Sequence, residues 1–318
     1  MRIQGVSAPA AHGVNVRLLP LVLLMSLSVL WGLGPSIVKF VALDGVPPLG
    51  LVVWQTGLAG IILLGICVLR GVPIRFDRKH MRYYLIMGWV GLALPNTNMV
   101  FVMRDLPVAL MGVIIITSPV ITYVVALFIR LETFTPLRAA GVVFGFIGAA
   151  VLVLPSGSLP SPDLLPIALL AFVTPALWAT SNVIAEVWRP ADGDTFALAM
   201  GTMFAAASGA LVVAFATDAF HPIWIDFGPS DLVILLYAGT TVCAFALFYT
   251  IVKLAGAVYL AQVGYLVPIM GVGWGAWFYG EEPTVWLWLA MALVFAGVAL
   301  VNLGKRPPPD DGDEKSAG

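Results

Sequence analysis

Ten apolar runs, each long enough to cross a bilayer, divide this chain, and no soluble fold can bury all of them. A helix rises about 1.5 Å per residue, so about 20 mostly apolar residues span the hydrocarbon layer. Such runs fall at 18–42, 48–70, 81–103, 107–130, 136–155, 164–188, 194–216, 231–253, 257–280 and 284–303. They are continuous and do not alternate with period two, which argues against a membrane barrel. Turn chemistry such as Asp44-Gly45-Val46-Pro47-Pro48 and Arg104-Asp105-Leu106-Pro107 marks the breaks. The first run continues past Trp31 to Ala42 without a small-residue cleavage site, so it is expected to remain a membrane helix. Charged residues make up only 10% of the chain, against about 25% in soluble proteins. With a net charge of −1, there is no basic footprint for nucleic acid. The fold class is all-α integral membrane, and the lipid bilayer is the first partner.

Basic residues orient the bundle. Ten spans place both termini and the connections 2–3, 4–5, 6–7 and 8–9 on one side. That side holds 14 of the 16 Lys and Arg residues, and only Lys39 and Arg104 fall on the other. The expected topology has both termini cytoplasmic in the cell inner membrane. Residues 1–17 and the charged, proline-rich 304–318 form tails, the latter disordered.

The chain also repeats itself. Leu30-Trp31-Gly32-Leu33-Gly34-Pro35 matches Leu177-Trp178-Ala179-Thr180-Ser181-Asn182 at an offset of 147. Ser118-Pro119 through Glu132-Thr133-Phe134-Thr135 matches Val267-Pro268 through Glu281-Glu282-Pro283-Thr284 at an offset of 149, and Gly148 matches Gly297. One five-helix unit (18–155) therefore recurs (164–303). Five is odd, so the second copy enters from the opposite face. Inverted repeats let two halves exchange slightly different packings and so move an opening from one compartment to the other. That arrangement points to a transporter.

These residues resemble a family. The Leu-Trp-Gly start of helix 1, a proline in helices 4 and 9 and the Glu-x-x-Thr corner that follows each are similar to the EamA type of the drug/metabolite transporter superfamily. The resemblance covers residues 18–303 and implies a central cavity lined mainly by helices 1, 3, 4, 6, 8 and 9. It also implies export of amino acids or other small metabolites, or exchange of nucleotide sugars or sugar phosphates as in more distant relatives. Members often carry an arginine near the start of helix 2, where this chain reads Trp54-Gln55-Thr56. Gln55 can hydrogen-bond but supplies no fixed charge for an anion.

Polar groups within hydrocarbon are costly and tend to face a cavity or another helix. Trp31, Pro35 and Lys39 share one face of helix 1, and Trp178, Asn182 and Glu186 share the matching face of helix 6. Trp31 and Trp178 are candidate cavity walls, and helix packing is the alternative for both. Asn182 is a further cavity candidate. Lys39 and Glu186 are candidate charges at the two mouths, against snorkelling and a helix-end position. Pro119 and Pro268 each remove one helical hydrogen bond and are candidate kinks. Ser118 and Tyr123 beside the first, and Gln262 and Tyr265 beside the second, are candidate substrate contacts. So are Asn96 and Asn98, one of which must meet another helix. Glu132 is either a coupling group or part of the helix corner.

No Asp, Glu or His lies in the middle third of any span. Any ion coupling is therefore expected to use a charge near a mouth. A membrane-embedded enzyme would need an acid/base pair, a nucleophile elbow or a metal cluster. No Gly-x-Ser-x-Gly or His-Glu-x-x-His occurs, and His12, His80 and His221 lie in separate connections. The expectation is a non-enzyme without cofactor or metal. It moves a small molecule, most readily an amphipathic one such as an amino acid, as either a monomer or a homo-oligomer.

Overall fold

The computed structural model describes residues 15–153, 159, 161–260 and 262–303, and among them it contains helices and no strands. Ten helices follow the ten apolar runs, and among the described residues all but the 17-residue α9 are long and apolar enough by themselves to cross a membrane: α1 (Asn15–Leu43), α2 (Pro48–Leu69), α3 (Arg78–Val102), α4 (Val108–Phe128), α5 (Pro136–Val153), α6 (Pro162–Trp188), α7 (Thr195–Ala216), α8 (Pro229–Gly256), α9 (Val263–Tyr279) and α10 (Val285–Leu303). An even number returns the end of α10 to the face where α1 begins, here called the terminal face. The tails before Asn15 and after Leu303 lie outside the described residues, and α1 takes in 15–17, which the sequence assigns to the tail.

Local chemistry sets the helix starts. Proline opens α2, α5, α6 and α8, where its missing N–H costs nothing and its φ is already helical. Asp77 and Asp194 cap α3 and α7, each accepting two backbone N–H groups. Three helices are irregular. A π-helical turn, Met87–Ala93, interrupts α3. In α4 the helix breaks at Thr117, two residues before Pro119, whereas α9 runs unbroken through Pro268. Between α8 and α9 the chain turns at Gly256 (φ 84°), a backbone state that L side chains avoid.

Packing follows the repeat. α1 lies against α8 and α9, and α6 lies against the matching α3 and α4; α2 packs on α8 as α7 packs on α3. Two pairs close on themselves, α2 with α7 and α5 with α10. The last pair shows the symmetry residue by residue. Gly148 meets Ala290 and Val294, while Gly297 meets Gly141 and Gly145, which are their repeat mates. A β-carbon on Gly297 would sit 2.6 Å from the Gly141 carbonyl oxygen, so the close approach needs glycine. The two halves are thus related by a twofold in the bilayer plane, and the fold is two inverted five-helix repeats.

Candidate functional site

The centre of the bundle is a seam between two trios, α1 with α8 and α9 on one side, and α3 with α4 and α6 on the other. Near the face opposite the termini the seam is closed. The first half of α4 packs on α9 and α1, and the last turns of α3 (Leu94–Val102) also reach α1. The largest apolar core fills this region, with Val38, Val41, Met103, Leu106, Val113, Ile114 and Val272 all buried. Toward the terminal face these contacts have no counterpart of similar extent among the described residues. The second half of α4 packs on α6, α5 and α10, and α6 makes no such contact with α8 or α9.

Burial of repeat mates gives the same picture. Pro35, Val113 and Pro268, on the closed side, are buried; Asn182, Gln262 and Pro119, their mates on the terminal side, are exposed. These equivalent positions are therefore packed at one end of the seam and exposed at the other.

A polar latch holds the closed end. Lys39 Nζ lies 3.1 Å from Glu281 Oε1 and donates to the Leu106 carbonyl at 2.9 Å. Glu281 also accepts the first backbone N–H groups of α4, Val108 at 2.7 Å and Ala109 at 2.9 Å. A carboxylate at a helix N-terminus gains both hydrogen bonds and the helix dipole. The Lys39 ammonium lies 5.2 Å from the Tyr279 ring centroid, and the Tyr279 hydroxyl donates to the Ser36 carbonyl at 2.7 Å. One side-chain pair thus ties α1, the start of α4 and the end of α9 together. Glu281 also lines a cavity of about 320 Å³ at this face, with Pro107, Leu110, Glu282 and Leu287.

Below the latch, α2, α3 and α8 bring neutral polar groups together. Asn96 donates to Gln55, and Gln55 donates to Thr241, both at 3.4 Å. Such long bonds are weak and leave the amides capacity for a ligand. The Tyr237 hydroxyl stands beside this group, 3.3 Å from where a β-carbon on Gly34 would be. Trp31 is partly exposed and packs at 5.9 Å between ring centroids on Phe248 of α8. Trp178 is half-buried against the large core.

Several other sequence candidates lie elsewhere. Asn98 donates to Thr174 Oγ1 at 2.9 Å and to the Leu170 carbonyl, joining α3 to α6. Ser118 is half-buried, and its carbonyl accepts from Thr122. Tyr265 packs edge-on against Phe295 of α10 at 5.3 Å. Tyr123 is buried at the terminal end of α4, where its hydroxyl donates to the Thr133 carbonyl and the Arg138 guanidinium lies 3.9 Å from its ring. Arg138 in turn bonds Glu132 at 2.6 Å. Glu186 is exposed on the terminal turn of α6. Tyr237, Thr241 and the bridging role of Glu281 are not evident from motifs. The signal for Glu281 is topological: a ten-span count puts it on the same face as Lys39.

Two inverted five-helix repeats meeting along a central seam place the chain among the duplicated, all-helical membrane proteins. The EamA-like transporter family matches residues 18–154 and again 165–303, one match per repeat, so the chain belongs to that family. It is similar to the uncharacterized transporter YvbV of Bacillus subtilis (strain 168), with 24% identity over 290 residues, 88% of this chain and 90% of that one. A solved crystal structure shares the fold with a TM-score of 0.60 at 22% identity, covering 89% of this chain and 96% of the other.

Proposed function

We propose that the protein is an alternating-access exporter of a small amphipathic metabolite, with an amino acid of apolar side chain as the leading substrate class. The observation that supports it most is the unequal burial of repeat mates along the seam. An anchor or a scaffold has no use for a cleft that its own symmetry could re-form at the other face. With the basic connections in the cytoplasm, the cleft opens inward, as an exporter loading its substrate requires. Neutral amides and hydroxyls at Gln55, Asn96, Thr241 and Tyr237 suit a polar head group. Trp31, with Phe248, suits an apolar body. Asn182 and Gln262 line the approach, and Trp178 completes the far wall. A fixed positive charge for a sugar phosphate or nucleotide is missing from this polar group, which favours the amino-acid class over those exchangers.

Reconstituted protein in proteoliposomes, assayed with a panel of amino acids, amines and sugar phosphates, tests the reading. Saturable flux of an apolar amino acid is expected, with affinity falling about tenfold or more in Trp31→Ala. That corresponds to loss of one buried aromatic contact. Flux of phosphorylated sugars instead, or unchanged affinity in both Trp31→Ala and Trp178→Ala, overturns the substrate assignment.

A further inference from the structure

The first turns of α3 and of its repeat mate α8 share an exposed apolar stripe and differ in the charge beside it. The two helices begin at Arg78 and Pro229, 151 residues apart. At that offset the exposed Met81 and Leu85 of α3 match the exposed Leu232 and Leu236 of α8, and the buried His80 and Tyr83 match the buried Asp231 and Ile234. Only α3 adds cations to the stripe. Arg78 and Arg82, both exposed, stand where α8 has Pro229 and Val233. The connection before α8, residues 217–228, contains Asp218 and Asp226 and no Lys or Arg, whereas Arg70 and Arg75 precede α3. We infer that the start of α3 binds an anionic phospholipid, with its phosphate held by Arg78 and Arg82 and its acyl chains lying along Met81 and Leu85.

Arg78 and Arg82 lie one turn apart, with Met81 and Leu85 on the same stripe. At a rise of about 1.5 Å per residue, Leu85 sits about 10 Å deeper than Arg78. That distance leads from the headgroup level into hydrocarbon. The Arg82 guanidinium lies over the Trp188 ring of α6, 4.0 Å from its centroid, so its planar fork is already oriented where α3 meets α6. Phe76, exposed just before α3, adds an aromatic ring at the interface. The other charges nearby are engaged. Arg75 pairs with Asp192 at 2.5 Å, and Lys79 lies 3.8 Å from the same carboxylate. Asp77 accepts the Lys79 and His80 backbone N–H groups and meets His80 Nδ1 at 2.5 Å. Arg70 lies over the Phe196 ring at 4.9 Å, and Arg189 donates to Thr195. Among the described residues neither Arg78 nor Arg82 has a carboxylate within ion-pair distance. Two guanidinium groups without a carboxylate suit a phosphodiester, which accepts paired N–H bonds. Basic side chains at the end of a membrane helix recognise anionic lipid on the same physical grounds. A soluble anion would gain nothing from Met81 and Leu85, so the occupant that uses the whole stripe is a lipid.

The test is native mass spectrometry of the purified full chain in neutral detergent, titrated with phosphatidylglycerol or phosphatidylcholine. The wild-type protein should bind its first phosphatidylglycerol about tenfold more tightly than phosphatidylcholine, a factor within reach of two cations. Arg78→Gln with Arg82→Gln should bring the two affinities together. Arg130→Gln with Lys253→Gln removes two exposed charges elsewhere on the chain and should leave the preference in place. Equal affinities for the two lipids in the wild type overturn the inference without any variant. A preference that survives in the Arg78 and Arg82 pair, or falls equally in the Arg130 and Lys253 pair, overturns it too, because either places the effect in the general field of the protein. The soluble alternative is read from the thermal unfolding midpoint. Phosphatidylglycerol should raise it in the wild type, and inorganic phosphate should do no more than chloride at the same ionic strength. Phosphate that stabilises as much as the lipid would assign the two arginines to a soluble anion and sink the lipid site.

Discussion

At the opposite face the seam is closed by Lys39, Glu281 and the first N–H groups of α4; at the terminal face the same repeat positions hold Glu186 and Glu132, and the helices around them stand apart. The backbone differs between the repeats too, with a π-helical turn in α3 and a break in α4 that α8 and α9 do not share at those positions. Side-chain charge differs as well: an attractive pair ties α1 to α9 at the closed mouth, whereas at the terminal face Glu132 is held by Arg138 of α5 and Glu186 is exposed.

The largest effect on this comparison is expected from Glu281→Ala. It removes one ion-pair contact and two helix-capping bonds and leaves Lys39 partly buried without its carboxylate. Breaking a buried pair by removing one partner costs about 3–5 kcal/mol. The opposite mouth should open in part, and the thermal unfolding midpoint should fall. Thiol labelling of a Ser36→Cys variant from the opposite face reads the opening, and no gain in labelling would show that the apolar core alone holds the seam. Lys39→Met should cost less, roughly 1.5–3 kcal/mol, because Glu281 keeps both backbone N–H donors. Equal losses in the two variants would mean that the α4 cap contributes nothing.

How much of this was legible in the sequence differs between the two mouths for a physical reason. Hydrophobic length fixed the helices to within a few residues, because lipid imposes one solution on an apolar run. The repeat was visible because Trp, Pro and Gly positions serve packing and recur in both halves. The boundary between α8 and α9 was less visible: the apolar pattern runs through it, and only Gly256 marks the turn. The latch was hidden because Lys39 and Glu281 lie 242 residues apart and meet only through helix topology. The polar group of Gln55, Asn96, Thr241 and Tyr237 was hidden likewise, since each is an unremarkable polar residue on its own helix. Tyr123 illustrates the converse. It lies one turn beyond Pro119, yet its helical phase turns it toward α5 and Arg138.

The peripheral pair α5–α10 is a control for the seam. Gly148 and Gly297 are mates that each meet the other helix within van der Waals contact. If the asymmetry is confined to the seam, Gly148→Ala and Gly297→Ala should destabilise by similar amounts, about 1–3 kcal/mol each from overpacking. Neither should alter the thiol accessibility of the two mouths relative to the other. A large difference between them would place part of the asymmetry in the outer helices.

The smallest effect on stability is expected below the latch. Both hydrogen bonds of Gln55 are 3.4 Å long, so Gln55→Leu should change the unfolding free energy by less than about 1 kcal/mol. A substrate head group would lose a partner at the same time, because leucine offers neither donor nor acceptor. Substrate affinity should therefore fall while the melting temperature stays nearly constant, and that divergence distinguishes a binding group from helix glue. Asn98→Leu gives the contrast. Its bonds to Thr174 and Leu170 join α3 to α6 within one trio, so stability should fall while substrate affinity holds. If both variants lowered stability and affinity together, the division between the seam and the interior of each trio would be lost.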